Sequence, residues 1–186
     1  MKPLIDYAER IGIDENVVEY NISLKTRTWI HRGGEAKVWF TPNSYEDLLK
    51  ICRYLYLENL SFDIIGHTSN IYFLNSYNPS FVIDTKKIKK IKFTDSEVIC
   101  DVGFPMMKLA KECIKRGIKG YEGFINLPGT VAGAVVNNSG CFGCEICDVV
   151  NKVEILLPNG DIEELTKATK NFEDVQNLTF YAPLIS

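Results

Sequence analysis

Between Asn126 and Asp148 the chain reads NLPGTVAGAVVNNSGCFGCEICD, a run of glycines and small side chains with no helix or strand period. Four glycines (Gly129, Gly133, Gly140, Gly143) and the Pro128-Gly129 turn lie beside the short polar side chains Thr130, Asn137, Asn138 and Ser139. Such a composition suits an anion cradle, because glycines let backbone N–H groups face a phosphate while hydroxyls and amides add donors. The other reading of the same residues is a surface loop with two tight turns. A second loop of this kind lies upstream, where the apolar run Phe62-Asp63-Ile64-Ile65 enters Gly66-His67-Thr68-Ser69-Asn70 before Ile71-Tyr72-Phe73-Leu74. Either loop alone is common in αβ domains, whereas two of them can clamp a diphosphate from both sides.

The flanking elements supply a scaffold. Ser44, with Asp47 three residues on, starts a helix whose apolar face is Leu48, Leu49, Ile51, Cys52 and Leu55, ending near Glu58. Strands are expected at Phe62–Ile65 and Phe81–Asp84, and a strand pair at Ile88–Phe93 and Glu97–Val102. A second helix opens at Pro105, presents Met106, Leu109, Ala110, Cys113 and Ile114, and stops at Gly117. The last element is a hairpin, Val153–Leu157 and Asp161–Leu165, turning at Pro158-Asn159-Gly160. This pattern is an α+β (α/β) one, free of repeats, low-complexity tracts and linkers.

These residues resemble the FAD-binding UDP-N-acetylenolpyruvoylglucosamine reductases (MurB type). Gly66-His67-Thr68-Ser69-Asn70 is similar to their GGGSN pyrophosphate loop, and Leu127-Pro128-Gly129-Thr130-Val131-Ala132-Gly133-Ala134-Val135 to their IPGTVGGAV loop. Thr28-Trp29 with Gly33-Gly34-Glu35-Ala36 resembles the NTF...GGPA entry, and Pro42-Asn43-Ser44 before Leu48-Leu49 the P-x-S-x-x-x-L helix start. Asn138-Ser139-Gly140-Cys141-Phe142-Gly143-Cys144-Glu145-Ile146 follows NAGAYG-x-EI, and Gly120-Tyr121-Glu122 follows G-x-E. The likeness runs from about residue 20 to about residue 165, in the family's order.

The resemblance implies a two-lobed FAD-binding domain of the MurB/PCMH type, with lobes 1–85 and 86–186, and without the C-terminal substrate domain. It implies FAD as cofactor, held by Gly66, His67, Thr68, Ser69, Asn70, Pro128, Gly129, Thr130, Gly133, Ala134, Asn138, Ser139, Gly140 and Ile146. The family reaction passes a hydride from NADPH to the flavin and on to an enolpyruvyl ether, with a serine as proton donor and an arginine and a glutamate stabilising the enolate. Tyr181-Ala182 stands where the family has a Tyr-Arg pair, so no catalytic residue is carried over. His67 and Thr68 replace two family glycines, and Ala132 replaces a third. For His67 a plain loop position, a phosphate contact and a covalent flavin link all stay open. Arg32, on a loop one residue longer than usual, either faces the diphosphate or lies on the surface.

Three functions follow as expectations. One is a reductase-type flavoprotein using NAD(P)H whose substrate domain is missing, either because the chain is a fragment or because a partner chain supplies it; the cleft would then favour a partner or a second copy, with Tyr181 and Ala182-Pro183-Leu184-Ile185 on that surface. Another is a short FAD-binding oxidoreductase with a different task. The third is a cofactor-free descendant that acts as a binding protein.

Composition bounds these choices. The 186 residues, 46% hydrophobic and 24% charged, suit a soluble domain that can bury a core. A net charge of -3 leaves no footprint for nucleic acid, and Lys86-Lys87-Ile88-Lys89-Lys90 reads as a solvated turn. No stretch approaches the roughly 20 apolar residues of a bilayer span, and MKPLIDYAER lacks a signal-peptide core. A cytoplasmic location with reduced cysteines is therefore expected, without membrane or nucleic-acid partners. Cys141-x-x-Cys144-x-x-Cys147 has the spacing of three iron–sulfur ligands but no Cys-Pro completes it, and Cys52, Cys100 and Cys113 fall in helix or strand segments. The three loop cysteines read as small residues where small residues are permitted, so no metal is expected.

Overall fold

A carboxylate starts the first element of the computed structural model, which describes residues 6–94, 97–166 and, for the backbone, 182–184. The chain divides into two compact units, Met1–Ile88 and Lys89–Ser186.

In the first unit Asp6 accepts the N–H groups of Ala8 and Glu9 and opens α1 (Tyr7–Ile11), which Gly12 closes at φ 72°. β1 (Val18–Ser23) and β2 (Glu35–Phe40) pair antiparallel; neither strand is anticipated by the sequence reading. α2 (Tyr45–Leu57) begins where expected, with Ser44 Oγ accepting the Asp47 N–H at 3.1 Å. It buries Leu48, Ile51, Cys52 and Leu55, while Leu49 is only half-buried at the edge of that face. β3 (Asp63–Ile65) and β4 (Phe81–Asp84) complete a sheet of order β1-β2-β4-β3, parallel from β2 onward. α2 is the crossover between β2 and β3 that parallel strands require. Both faces of β4 are buried, which is why Phe81-Val82-Ile83 is a continuous apolar run and not an alternating one. Leu24, Ala36, Trp39, Ile65, Phe73 and Val82 form one core cluster of this unit, each large side chain contributing about 1.5–3 kcal/mol by burial.

The second unit opens with the hairpin β5 (Ile91–Phe93) and β6 (Val98–Cys100); β5 starts later than the expected Ile88 and ends at Phe93 as expected, and β6 is shorter at both ends than Glu97–Val102. α3 (Met106–Lys115) uses Pro105 as its N-cap residue, just outside the first turn, and ends in a Schellman-type cap where Gly117, at φ 71°, donates to Ile114 and Ile118 donates to Cys113. Met106, Leu109, Ala110 and Cys113 are buried as anticipated; Ile114 is exposed instead, its turn lying off the core face.

The glycine-rich segment is not aperiodic. α4 (Val131–Val136) forms inside it, followed by the hairpin β7 (Gly140–Cys141) and β8 (Cys144–Glu145) and by α5 (Ile146–Val149). Val131, Ala134 and Val135 do have helical spacing, and their small size hid it. β9 (Lys152–Leu156) and β10 (Ile162–Thr166) make the final hairpin one residue away from the expected bounds, with β11 (Ala182–Leu184) on the other side of β9. The core gathers Phe104, Met106, Leu109, Tyr121, Phe124, Val131, Ile146, Val153 and Ile155 from helices and sheet alike.

Candidate functional site

Gly66–Asn70 leaves the end of β3, and that end is fixed by a residue the sequence reading does not single out. Thr85 Oγ1 donates to the Ile65 carbonyl at 3.0 Å, in a buried position one residue before the loop. Thr68 is buried and lies at φ 54°, in the left-handed region. The family glycine at this place is thereby explained: an L side chain there costs about 1–2 kcal/mol. What offsets it here is the hydroxyl. Thr68 Oγ1 accepts the Trp29 N–H at 2.8 Å and ties the Thr28-Trp29 segment to the loop. Gly66, His67 and Ser69 are half-buried and Asn70 is exposed. Among the described residues the N–H groups of Ser69 and Asn70 and the Ser69 hydroxyl meet no partner in the protein. Arg32 is exposed, and its carbonyl accepts the Thr28 hydroxyl at 3.0 Å.

Asp63 opens the strand beneath this loop. Burial raises its carboxyl above the ordinary range, partly countered by the Tyr77 hydroxyl, which donates to Asp63 Oδ2 at 2.9 Å.

The second loop is built differently. Residues 128–132 are stitched to the segment ahead of α3. The Met106 N–H donates to the Gly129 carbonyl at 3.1 Å, Val131 donates to Phe104 at 2.9 Å and Ala132 to Val102 at 3.1 Å. Gly129 stands at φ 123°, a conformation that requires glycine, and Pro128 is exposed before it. Thr130 caps α4 by accepting the Gly133 N–H on Oγ1 at 3.3 Å. The N–H groups of the first turn of α4 therefore serve the fold, contrary to the expected cradle of glycine-freed donors. The groups left without a partner among the described residues are the N–H groups of Gly129 and Thr130 and the Ser139 hydroxyl.

Asn138 is committed as well. At φ 41°, a conformation asparagine tolerates, its amide donates to Glu145 Oε2 at 2.8 Å and accepts the Cys147 N–H at 3.1 Å. Gly140 is needed for close approach, since a Cβ there would sit 3.0 Å from the Cys144 carbonyl. Ala134 lies in the core, whereas Ile146 and Val131 line a cavity of about 710 Å³ with Cys100, Tyr121, Lys119 and Lys152. Burial holds the Tyr121 hydroxyl well above the ordinary phenol range.

Taken loop by loop, the unused donors fit phosphate oxygens. Each loop offers backbone N–H groups and a hydroxyl that the protein does not use, which suits an acceptor-rich anion. The cysteines sort by depth: burial pushes the Cys52 and Cys100 thiols up to about 12 and Cys113 up to about 11. Among the described residues no group of three or more His, Cys, Asp or Glu is placed to hold a metal ion.

UDP-N-acetylenolpyruvoylglucosamine reductase of Enterococcus faecalis is 32% identical to the chain over 149 residues, covering 80% of this chain and 50% of its own. The corresponding reductase of Carboxydothermus hydrogenoformans is 33% identical over 153 residues, covering 82% and 50%. The chain spans about half the length of the curated relatives it matches. Among solved structures, the UDP-N-acetylenolpyruvylglucosamine reductase (MurB) of Thermus caldophilus superposes with a TM-score of 0.66 at 26% identity, over 81% of this chain and 53% of that one. Alkyldihydroxyacetonephosphate synthase shares the fold, with a TM-score of 0.70 at 15% identity over 100% of this chain and 40% of its own. Residues 36–166 match the family described as FAD binding domain, and on that match the chain belongs to the FAD-binding domain family, with FAD as its cofactor.

Proposed function

We propose that the chain carries the FAD-binding portion of an oxidoreductase of the UDP-N-acetylenolpyruvoylglucosamine reductase type, a step in peptidoglycan precursor synthesis. The observation that carries this reading is the pair of loops with unused donors, on a chain whose curated relatives bear that name. In this reading Gly66, His67, Thr68, Ser69 and Asn70 form one binding element, and Pro128, Gly129, Thr130, Gly133, Ala134, Asn138, Ser139, Gly140 and Ile146 the other. Within them the roles divide. The N–H groups of Ser69, Asn70, Gly129 and Thr130 and the hydroxyls of Ser69 and Ser139 donate to the diphosphate. Thr68, Gly133, Asn138 and Gly140 shape the backbone that presents those donors, and the buried Ala134 and Ile146 pack beneath it. Bound FAD supplies the hydride chemistry, with NAD(P)H as the hydride source.

A covering partner or second copy has support in three exposed side chains beside the first loop: Tyr72 and Leu74, which follow it in sequence and are 58% and 61% exposed, and Trp29, 69% exposed, whose N–H is bonded to Thr68. The other residues expected on that surface, Tyr181 and the side chains of Ala182-Pro183-Leu184-Ile185, lie outside the described residues. No described helix is long and apolar enough to cross a membrane; a cytoplasmic location belongs to this proposal.

The test is anaerobic addition of NADPH, then NADH, to the FAD-loaded protein while the visible flavin band is followed, and then addition of the enolpyruvyl sugar nucleotide. Bleaching by a nicotinamide and recovery with the enolpyruvyl compound supports a reductase. Bound flavin that neither nicotinamide reduces overturns the oxidoreductase reading.

A further inference from the structure

The cysteines at 141 and 144, read from sequence as small loop residues, are placed directly opposite each other across β7 and β8. Phe142 and Gly143 join them, at φ 53° and 80°, the pair of positive values that a two-residue type I′ hairpin turn requires. Directly opposed residues of an antiparallel pair hold their Cα atoms about 4.5–5.5 Å apart, inside the roughly 4.4–6.8 Å span a disulfide bridges. Their side chains also leave the same face of the ribbon.

The tip is open, with Phe142 80% exposed and both cysteines half-buried. Beneath it Gly123 leaves room for sulfur: a Cβ there would fall 2.8 Å from Cys144 Sγ and 2.6 Å from the Cys141 carbonyl oxygen. The other four cysteines are set apart. Cys52, Cys100 and Cys113 are buried, and burial keeps their thiols protonated. Cys147 lies past the hairpin, with its N–H on Asn138; burial first, and then its hydrogen bond to Glu145, raise its thiol.

We propose that Cys141 and Cys144 are a redox-active dithiol that closes reversibly to a disulfide by exchange with a low-molecular-weight disulfide. One thiolate attacks a sulfur of the small disulfide, releases one thiol and leaves a mixed disulfide on the protein. The second thiolate then attacks the protein sulfur of that mixed disulfide and releases the second thiol. The cysteine pair loses two electrons and two protons, and the small disulfide gains them. Because the loop closed is so short, the bond gains little from chain entropy and belongs to the labile, exposed class. Its formation needs no flavin, so the pair stands or falls apart from the cofactor reading.

The test equilibrates the protein in a series of reduced and oxidised glutathione mixtures, quenches with acid, alkylates free thiols and maps fragments by mass. Cleavage after Phe142 separates the two cysteines, so their fragments stay joined only if bridged. The expected result is a Cys141–Cys144 bond that accumulates as the mixture becomes oxidising. It persists in Cys147→Ser and is lost in Cys141→Ser and in Cys144→Ser. Cysteines that stay open to alkylation in every mixture, or a bond that maps to Cys147, overturn the assignment.

Discussion

Two loops that read alike, each led by glycine and filled with short polar residues, are held by different forces. The Gly66–Asn70 turn rests on side chains: Thr68 takes the Trp29 N–H and Thr85 holds the strand end, so the backbone donors of Ser69 and Asn70 remain unused. The Pro128–Gly140 run rests chiefly on its backbone: the Gly129 carbonyl and the Val131 and Ala132 N–H groups are spent on the segment before α3, while the Gly129 and Thr130 N–H groups stay unused among the described residues. A loop held by its side chains tolerates Thr68 in a left-handed position, because its hydrogen bond to the Trp29 N–H stands in for missing conformational freedom, while the backbone at His67 requires no such freedom. In the second loop the exchange of glycine is confined to Ala132, a helical position, while Gly129 at φ 123° stays glycine.

Gly129→Val should break the second loop hardest. At φ 123° the branched side chain forces strain of about 1–3 kcal/mol and pulls the Gly129 carbonyl from Met106. Melting temperature and FAD affinity should fall together, the latter by about tenfold or more.

Thr68 sharpens the comparison through two substitutions. Thr68→Val keeps the left-handed strain and leaves the Trp29 N–H without its acceptor, a loss of about 1–3 kcal/mol visible in thermal unfolding. Thr68→Gly loses the same bond but relieves about 1–2 kcal/mol of strain, so its melting temperature should stay close to wild type. If both fall equally, the left-handed conformation of Thr68 carries no strain; if Thr68→Val melts like wild type, the hydroxyl is not what holds the turn.

Ser69→Ala should leave unfolding untouched, since its hydroxyl has no partner among the described residues. FAD binding should weaken by about tenfold, the worth of one hydrogen bond to a charged group.

The smallest effect concerns pH. Because burial raises the Asp63 carboxyl, its contribution to stability is fully present below the ordinary carboxylate pKa and is lost as pH rises through the raised folded value. Asp63→Asn removes that loss while keeping an acceptor for Tyr77. The variant should therefore melt higher than wild type at neutral pH and match it in acid, as melting curves across that window would show.

What the sequence reading captured follows the same division. Where periodicity and caps decide structure, as in α2 with Ser44 and Leu48, Ile51, Cys52 and Leu55, the elements stand in place. β1 and β2 carry a strand signal that the sequence reading passes over: Val18, Tyr20 and Ile22 alternate with Glu19 and Asn21, Ala36 and Val38 with Glu35 and Lys37, and Gly33-Gly34 and Pro42-Asn43 bracket β2. α4 escaped because Ala132, Gly133 and Ala134 carry little hydrophobic contrast. The candidate loops themselves were visible through glycine and family likeness. Their supports were not: the bonds from Trp29 to Thr68 and from Thr85 to Ile65 join positions far apart in the chain, which no local pattern encodes. Asn138 looked like a ligand donor because clasping a hairpin and binding a phosphate call for the same amide.

The most direct test is a titration of flavin-free protein with FAD, followed by visible absorbance and repeated on Ser69→Ala, with acid precipitation at saturation. The account predicts saturable binding of one FAD per chain, weakened in Ser69→Ala at an unchanged melting temperature. Flavin in the acid pellet would identify His67 or a cysteine as a covalent anchor. A folded protein that takes up no FAD, or one whose affinity is indifferent to Ser69, would contradict the assignment of these loops.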